Sequence, residues 1–387
     1  MLSALVAAAL AITAAPALAV PTNVTLQVAD AAQTYGETFQ LSGVVSPAEP
    51  GVTVEILNAA DPSVLTTAPA NAFTGAYSAT LPTQSNVTVR ARVQSTLAVV
   101  SGDVLLTVAI ALTAALKDVR VFDLATVTGS VQPPHEGTVT MTLYRGTGAV
   151  ETRSLPLSGG AFETQIRIEQ PGSYRAVIEA PADADHAAGS GTTALKETPT
   201  PRLGVGSKSV HVLLLEKRLR ALGYYLPSAD KRYDSRTGDI VVAFHKVQGR
   251  SRTRTITASD WRRLADPKIP KPRSKTPRFH VEVDQSKQVL YVVRGGKVVR
   301  ILPASTGGPG VGVTYDGSYR FWLKLPGYSP KHGMYYSSFF HEGRAIHGWP
   351  DVPPTAASHG CVRIPMWAAV WMFKQLGVGN TIKIYHS

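Results

Sequence analysis

The chain has 387 residues, too many for one ordinary domain, and 44% of them are hydrophobic, which excludes wholesale disorder. Its formal charge of +12 is uneven: between residues 201 and 300, 23 Lys and Arg stand against 8 Asp and Glu. Aromatic residues make up only 7% of the chain, beside 33 Gly and 27 Pro, a composition suited to many strands joined by turns.

Residues 2–19 are almost entirely apolar and end in Ala17 and Ala19 at A-x-A spacing, so residues 1–19 are expected to be a secretory signal peptide. No Lys or Arg precedes this run, and an uncleaved membrane anchor is the alternative. Export places the mature chain in the periplasm or cell wall. There the basic belt is expected to meet anionic wall polymers or peptide carboxylates, and no nucleic acid. A solvated linker surface is the plainer reading of the same charge. No later segment reaches the roughly 18 apolar residues that a spanning helix needs.

A repeat follows. Leu41-Ser42-Gly43-Val44 has an echo in Val127-Thr128-Gly129-Ser130, 86 residues later. Gly75-Ala76-Tyr77 is echoed by Gly160-Ala161-Phe162, and Val89-Arg90-Ala91-Arg92-Val93 by Tyr174-Arg175-Ala176-Val177-Ile178. Apolar residues alternate within each copy, as in Val52-x-Val54-x-Ile56 and Val139-x-Met141-x-Leu143. Two tandem immunoglobulin-like β-sandwiches are expected, over 20–110 and 111–195, without disulfides and without a catalytic constellation. They read as a spacer or stalk.

Residues 196–206 break the strand pattern and read as a linker. Val212, Leu215, Leu219 and Leu222 then fall on one helical face that Gly223 ends, and a second helical run carries Ile240, Val241 and Phe244. This unit, within 196–265, resembles the three-helix peptidoglycan-binding domain family. The matching residues are Val212, Leu215, Leu219, Leu222-Gly223-Tyr224, Thr237, Val241 and Ala243-Phe244. It departs from that family at His245, where Gln is usual, and at Ala229-Asp230-Lys231, where an acidic-Gly turn is usual. A helical spacer that binds nothing is the alternative.

The Pro- and Lys-rich stretch 266–277 is expected to be extended. Residues 278–387 form the last domain. Val281-x-Val283 and Val289-x-Tyr291-x-Val293 alternate, Gly295-Gly296 closes a hairpin, Met366–Leu376 read as a helix and Thr381–Tyr385 as a closing strand. The fold class is therefore multidomain and mostly β, with a small helical domain and a C-terminal mixed, mainly-β domain.

The chain's one cysteine is Cys361, so no intrachain disulfide can form. A lone thiol in an exported protein is a liability unless its reactivity is used. His347 precedes it by 14 residues, across a loop carrying Pro350, Pro353 and Pro354. Thiol chemistry needs a base to take the proton and a third group to orient that base. His347 is the expected base, with the Gly348 carbonyl as orienter. His359 and Arg363 would share the face of Cys361 if the segment were a strand. His359 could then shape the site, and Arg363 could hold a substrate carboxylate. Gly360 would let the backbone approach substrate, and the Cys361 N–H could serve an oxyanion hole. A zinc site built from His347, His359 and Cys361 is the other sharp reading, but no fourth ligand falls at a familiar spacing.

Ile346-His347-Gly348 followed by Ser358-His359-Gly360-Cys361-Val362-Arg363 resembles the signature of the L,D-transpeptidase catalytic domain. The resemblance runs over 279–386. It includes Asp284–Val292, Pro303-Ala304-Ser305-Thr306-Gly307 and Met334-Tyr335-Tyr336. Thr314-Tyr315-Asp316-Gly317 lacks the proline usual in that family and is read as a loop variation.

The resemblance implies a cysteine acyltransferase without cofactor or metal. Cys361 would attack the L-centre carbonyl of the third residue of a tetrapeptide stem, release the terminal D-alanine and form a 3→3 cross-link. With water as acceptor it would be an L,D-carboxypeptidase. Ser358, Tyr335 and Met334 are expected beside the substrate, and such enzymes are typically acylated by carbapenems. The partners implied are peptidoglycan stem peptides and glycan strands, and a monomer is expected. A wall-binding protein without activity, or a metallopeptidase, is the competing class.

Overall fold

The structure, a computed structural model, describes residues 19–387 apart from residue 331. The expected signal peptide lies outside the described residues, save Ala19. Among the described residues no helix is long and apolar enough to cross a membrane. The chain is mostly β, and its described residues fall into two compact units. One runs through residue 116 and includes 127–164 and 175–195. The other comprises 117–126, 165–174 and 196–387.

In the first unit, residues 23–109 form two facing sheets. One has the strand order Asn23–Val24, Thr38–Ser46, Gln27–Val28, with Ala76–Pro82 also paired to Thr38–Ser46. The other has the order Ala32–Thr34, Val104–Ala109, Val87–Val93, Thr53–Asn58, Val64–Pro69. Burial along Thr38–Ser46 alternates strictly, so Phe39, Leu41 and Val45 enter a core shared with Ile56, Val89 and Leu106.

The repeated glycines have a steric reason. A Cβ on Gly43 would lie 2.6 Å from the Tyr77 ring, and one on Gly129 would lie 2.3 Å from the Phe162 ring. Each repeat thus seats an aromatic side chain directly on glycine backbone. The turn glycines before those rings, Gly75 and Gly160, have φ of +68° and +78°.

In the second unit, three helices follow residue 203: α1 (Val210–Ala221), α2 (Ser235–Gln248) and α3 (Ala258–Ala265). Ser209 caps α1, Asp234 caps α2, and the Asp260 carboxylate accepts the Thr257 N–H at the start of α3. The turn before α2 forms without its glycine. Lys231 takes φ +71°, while the buried Glu216 carboxylate accepts the Asp230 N–H and the Thr237 hydroxyl.

The stretch 196–206, expected to be a linker, is held by its neighbours. Lys196–Glu197 pairs with Ser173–Ala180, Leu203 is buried and bridges Ile256, and the Pro201 carbonyl accepts the Trp261 indole N–H. Val121 and Phe122 also enter the helical core, with the Arg218 guanidinium 4.9 Å above the Phe122 ring.

The C-terminal part of this unit has two sheets. The first has the order Lys297–Pro303, Val289–Arg294, Phe279–Asp284, Thr381–Tyr385, Gly317–Arg320. The second has the order Leu323–Ser329, Met334–His341, Arg344–Trp349, Val362–Pro365, and α4 (Met366–Gln375) packs on it. Alternation in Val289–Val293 suggests one wet face, but both faces are buried. Leu290 and Val292 join the core under α4, whereas Val289 and Tyr291 join the core of the helical part.

Candidate active site

Arg344–Trp349 and Val362–Pro365 run parallel, with Ile346 opposite Val362 and His347 opposite Arg363. Ile346, Val362 and Ile364 face α4. Gly348 shares that face: a Cβ there would lie 2.7 Å from Ala369 Cβ, so the glycine lets the helix close on the sheet. Ala345, His347 and Trp349 point the other way, where Cys361 and Arg363 join them. The Trp349 ring stands edge-on to His347, at 5.7 Å, and lies 4.3 Å beneath the Arg363 guanidinium.

His347 is 3% exposed, and its Nδ1 lies 3.0 Å from the Gly348 carbonyl. A carbonyl can only accept, so Nδ1 carries the proton and Nε2 is left as a base. Burial brings its pKa down to about 4; the nearby Arg363 acts the same way, and the Gly348 bond opposes both. Cys361 is half-buried against Met334, Phe339 and Ala345. Its Sγ accepts the Ala345 N–H at 3.4 Å and lies 3.9 Å from the Gly343 carbonyl. Burial pushes the thiol up, against the Ala345 bond and the Arg363 and Arg344 charges. The resting pair near neutral pH is therefore thiol and neutral imidazole rather than an ion pair.

His359 does not lie in a strand: the strand begins only at Val362, and residues 359–361 form a bend. Alternation therefore does not carry from His359 to Cys361, and His359 is exposed. Gly360 makes the bend possible at φ +117°, where a Cβ would lie 2.7 Å from the Val313 carbonyl oxygen. Ser358 is fully buried; its hydroxyl accepts the Gly360 N–H and donates to the Cys361 carbonyl at 2.5 Å, which makes it a lock on the bend. Arg363 donates one N–H to the Ala357 carbonyl at 3.0 Å, and its buried Nε has no partner among the described residues.

Met334 lies in the thiol's apolar cluster, whereas Tyr335 packs on the opposite face, against the α4 core and the Gly348 backbone. Among the described residues no group of three His, Cys, Asp or Glu is gathered as a metal site.

Two site residues escaped the sequence reading. The buried Thr314 hydroxyl donates to the Gly360 carbonyl and accepts the Gly307 N–H, so the bond survives although Tyr315 stands where the proline is usual. Arg344 donates to the Val313 carbonyl and lies over the Tyr315 ring. Thr314 had a signal in its place within the departing loop; Arg344, an ordinary strand-end arginine, had none.

Residues 278–384 match the YkuD family model, described as the L,D-transpeptidase catalytic domain. A solved L,D-transpeptidase fragment, residues 123–326, from Xylanimonas cellulosilytica is 31% identical, over 49% of this chain and 100% of that one. Residues 278–384 belong to the L,D-transpeptidase catalytic-domain family. The Xylanimonas structure superposes with a TM-score of 0.46. An L,D-transpeptidase from Stackebrandtia nassauensis is 23% identical over 49% of this chain and 98% of that one, with a TM-score of 0.32. One from Mycobacterium tuberculosis is 18% identical over 28% and 58%, with a TM-score of 0.26. No curated protein matches the chain. Within this L,D-transpeptidase domain, the matched segment contains Cys361, His347 and the whole bend between them.

Proposed function

We propose that this protein is an exported peptidoglycan L,D-transpeptidase that forms 3→3 cross-links through a Cys361 acyl-enzyme. The observation that carries the proposal is the tautomer of His347: the Gly348 carbonyl holds the Nδ1 proton, so Nε2 is an unprotonated base on the face that bears the thiol. The export reading is supported by the apolar run 2–19 and its A-x-A ending.

In the first step the thiol proton passes to Nε2 of His347 as sulfur attacks the carbonyl of the third stem residue. The tetrahedral oxyanion collapses, the C–N bond breaks, and His347 returns the proton to the departing D-alanine amine. In the second step the amine of a neighbouring stem attacks the thioester, His347 takes its proton, and the thiol is released with that proton. The free Nε of Arg363 and its charge suit a stem carboxylate, and Met334 lines the apolar side of the thiol.

Intact-protein mass spectrometry after carbapenem exposure tests the reading. The wild type should gain one drug mass and the Cys361→Ala variant none, with EDTA making no difference. A folded, reduced wild type that gains no mass would overturn it. With a tetrapeptide muropeptide and an amine acceptor, the expected product is the 3→3 cross-linked dimer.

A further inference from the structure

The helical part of the second unit reaches the nucleophile's surroundings through two basic side chains that the chemistry above does not use. Lys246, in the last turn of α2, is 3% exposed, and its Nζ donates to the Gln288 and Ala304 carbonyls at 3.0 Å each. No carboxylate lies within ion-pair distance of it among the described residues. Burial, with help from the Arg252 charge and against Asp239, brings its pKa down to about 7. An amine buried on such terms is costly unless its hydrogen bonds are made, and here two carbonyls converge on it.

Those carbonyls begin a continuous path to the thiol. Gln288, held at φ +59°, also accepts the Ala304 N–H. Its side-chain amide binds both the N–H and the hydroxyl of Thr306, each at 2.7 Å. The Thr306 carbonyl in turn accepts the Ala357 and Ser358 N–H groups at 2.9 Å, and the Ser358 hydroxyl holds the Cys361 carbonyl. A second hold acts on the same loop from outside: Arg252 donates to the Pro354 carbonyl at 2.7 Å and to the Ser286 carbonyl at 3.0 Å. Every residue of this path lies in the second unit.

We propose that Lys246 and Arg252 are positioning residues for acyl transfer, holding the 350–360 loop and the Ser305–Gly307 segment so that the Cys361 thiol stays in register with His347. The helical part is then a working piece of the catalytic site, whatever else it binds. This rests on the acyl-transfer reading above. Small displacements of a reacting atom are expensive, with roughly 10²-fold lost for about 1 Å.

The test uses the full mature chain as wild type, Arg252→Ala, Arg252→Lys and Lys246→Met. Carbapenem acylation is followed by quenched intact-protein mass spectrometry over a range of drug concentrations, with thermal melts to establish folding. The maximal acylation rate should fall about tenfold in Arg252→Ala and about 100-fold in Lys246→Met. The half-saturating concentration should stay within about twofold of wild type, because the substrate contacts themselves are untouched. Arg252→Lys should recover most of the rate, since an ammonium can still donate to Pro354. Arg252 is half-buried and its side chain holds only carbonyls, so its loss should leave the fold intact and the Arg252 pair decides the matter even if Lys246→Met does not fold. An undiminished maximal rate in folded Arg252→Ala, or an effect confined to half-saturation, overturns the inference alone. A wild type that forms no adduct overturns the acyl-transfer reading and this inference with it.

Discussion

The Cys361 thiol takes a hydrogen bond from the Ala345 N–H at 3.4 Å, and Ala345 stands two residues before His347 on the same strand. The proposed nucleophile is thereby parked on the backbone of the strand that carries its proposed base, with no thiol–imidazole bond formed among the described residues. Proton transfer then belongs to the attack itself, which gives the site distinctive kinetics.

Replacing His347 by Ala removes the base without touching the Ala345 bond. The maximal rate of Cys361 acylation should fall by about 10²–10⁴-fold, the usual contribution of a positioned base. Stopped-flow or quenched mass spectrometry with a carbapenem reads it directly. A variant that acylates at the wild-type rate would remove the base assignment.

The pH dependence carries a sign that can be worked out. His347 must be neutral to accept the proton, and burial holds its pKa at about 4. Acylation should therefore be lost only as pH falls through about 4, and should be flat across the range where an ordinary histidine titrates. The thiol, pushed above its ordinary value, adds a thiolate-driven rise only in alkaline solution. An acid limb centred near 6.5, the value of a solvated imidazole, would contradict this account.

Gly360→Ala tests the bend. The new Cβ would sit 2.7 Å from the Val313 carbonyl at φ +117°, and such strain costs about 1–3 kcal/mol. Relief of that strain should shift Cys361, so acylation should slow about 100-fold. Thermal melts and acylation rates on the same sample check both halves.

Phe122→Ala should destabilise the helical core by about 3–5 kcal/mol, because the ring is buried beside Trp261 and under Arg218. A truncation at residue 195 would lose Val121 and Phe122 together. It should melt earlier than a truncation at residue 110, as differential scanning calorimetry would show.

Much of the candidate site was legible because it is local. Cys361, His347 and the Gly348 carbonyl fall within two short motifs, and the hairpin at Gly295-Gly296 and the strand Thr381–Tyr385 follow from turn chemistry and alternation. The place of His359 was not legible, because strand alternation does not carry through a bend that Ser358, Gly360 and Thr314 create. Lys246 and Arg252 were invisible because their partners lie 34 to 102 residues away and are backbone carbonyls, which carry no residue signature.

The sequence by itself determined the chemical groups and their local order: one thiol, a histidine followed by glycine, a repeat with matching glycines, and a resemblance to one family of catalytic domains. Only the tertiary structure decided protonation, orientation and dependence between parts. Those properties arise from desolvation and from hydrogen bonds to distant backbone, and both exist only once the strands Met334–His341 and Arg344–Trp349 and the bend at Gly360 have come together around Cys361 and His347.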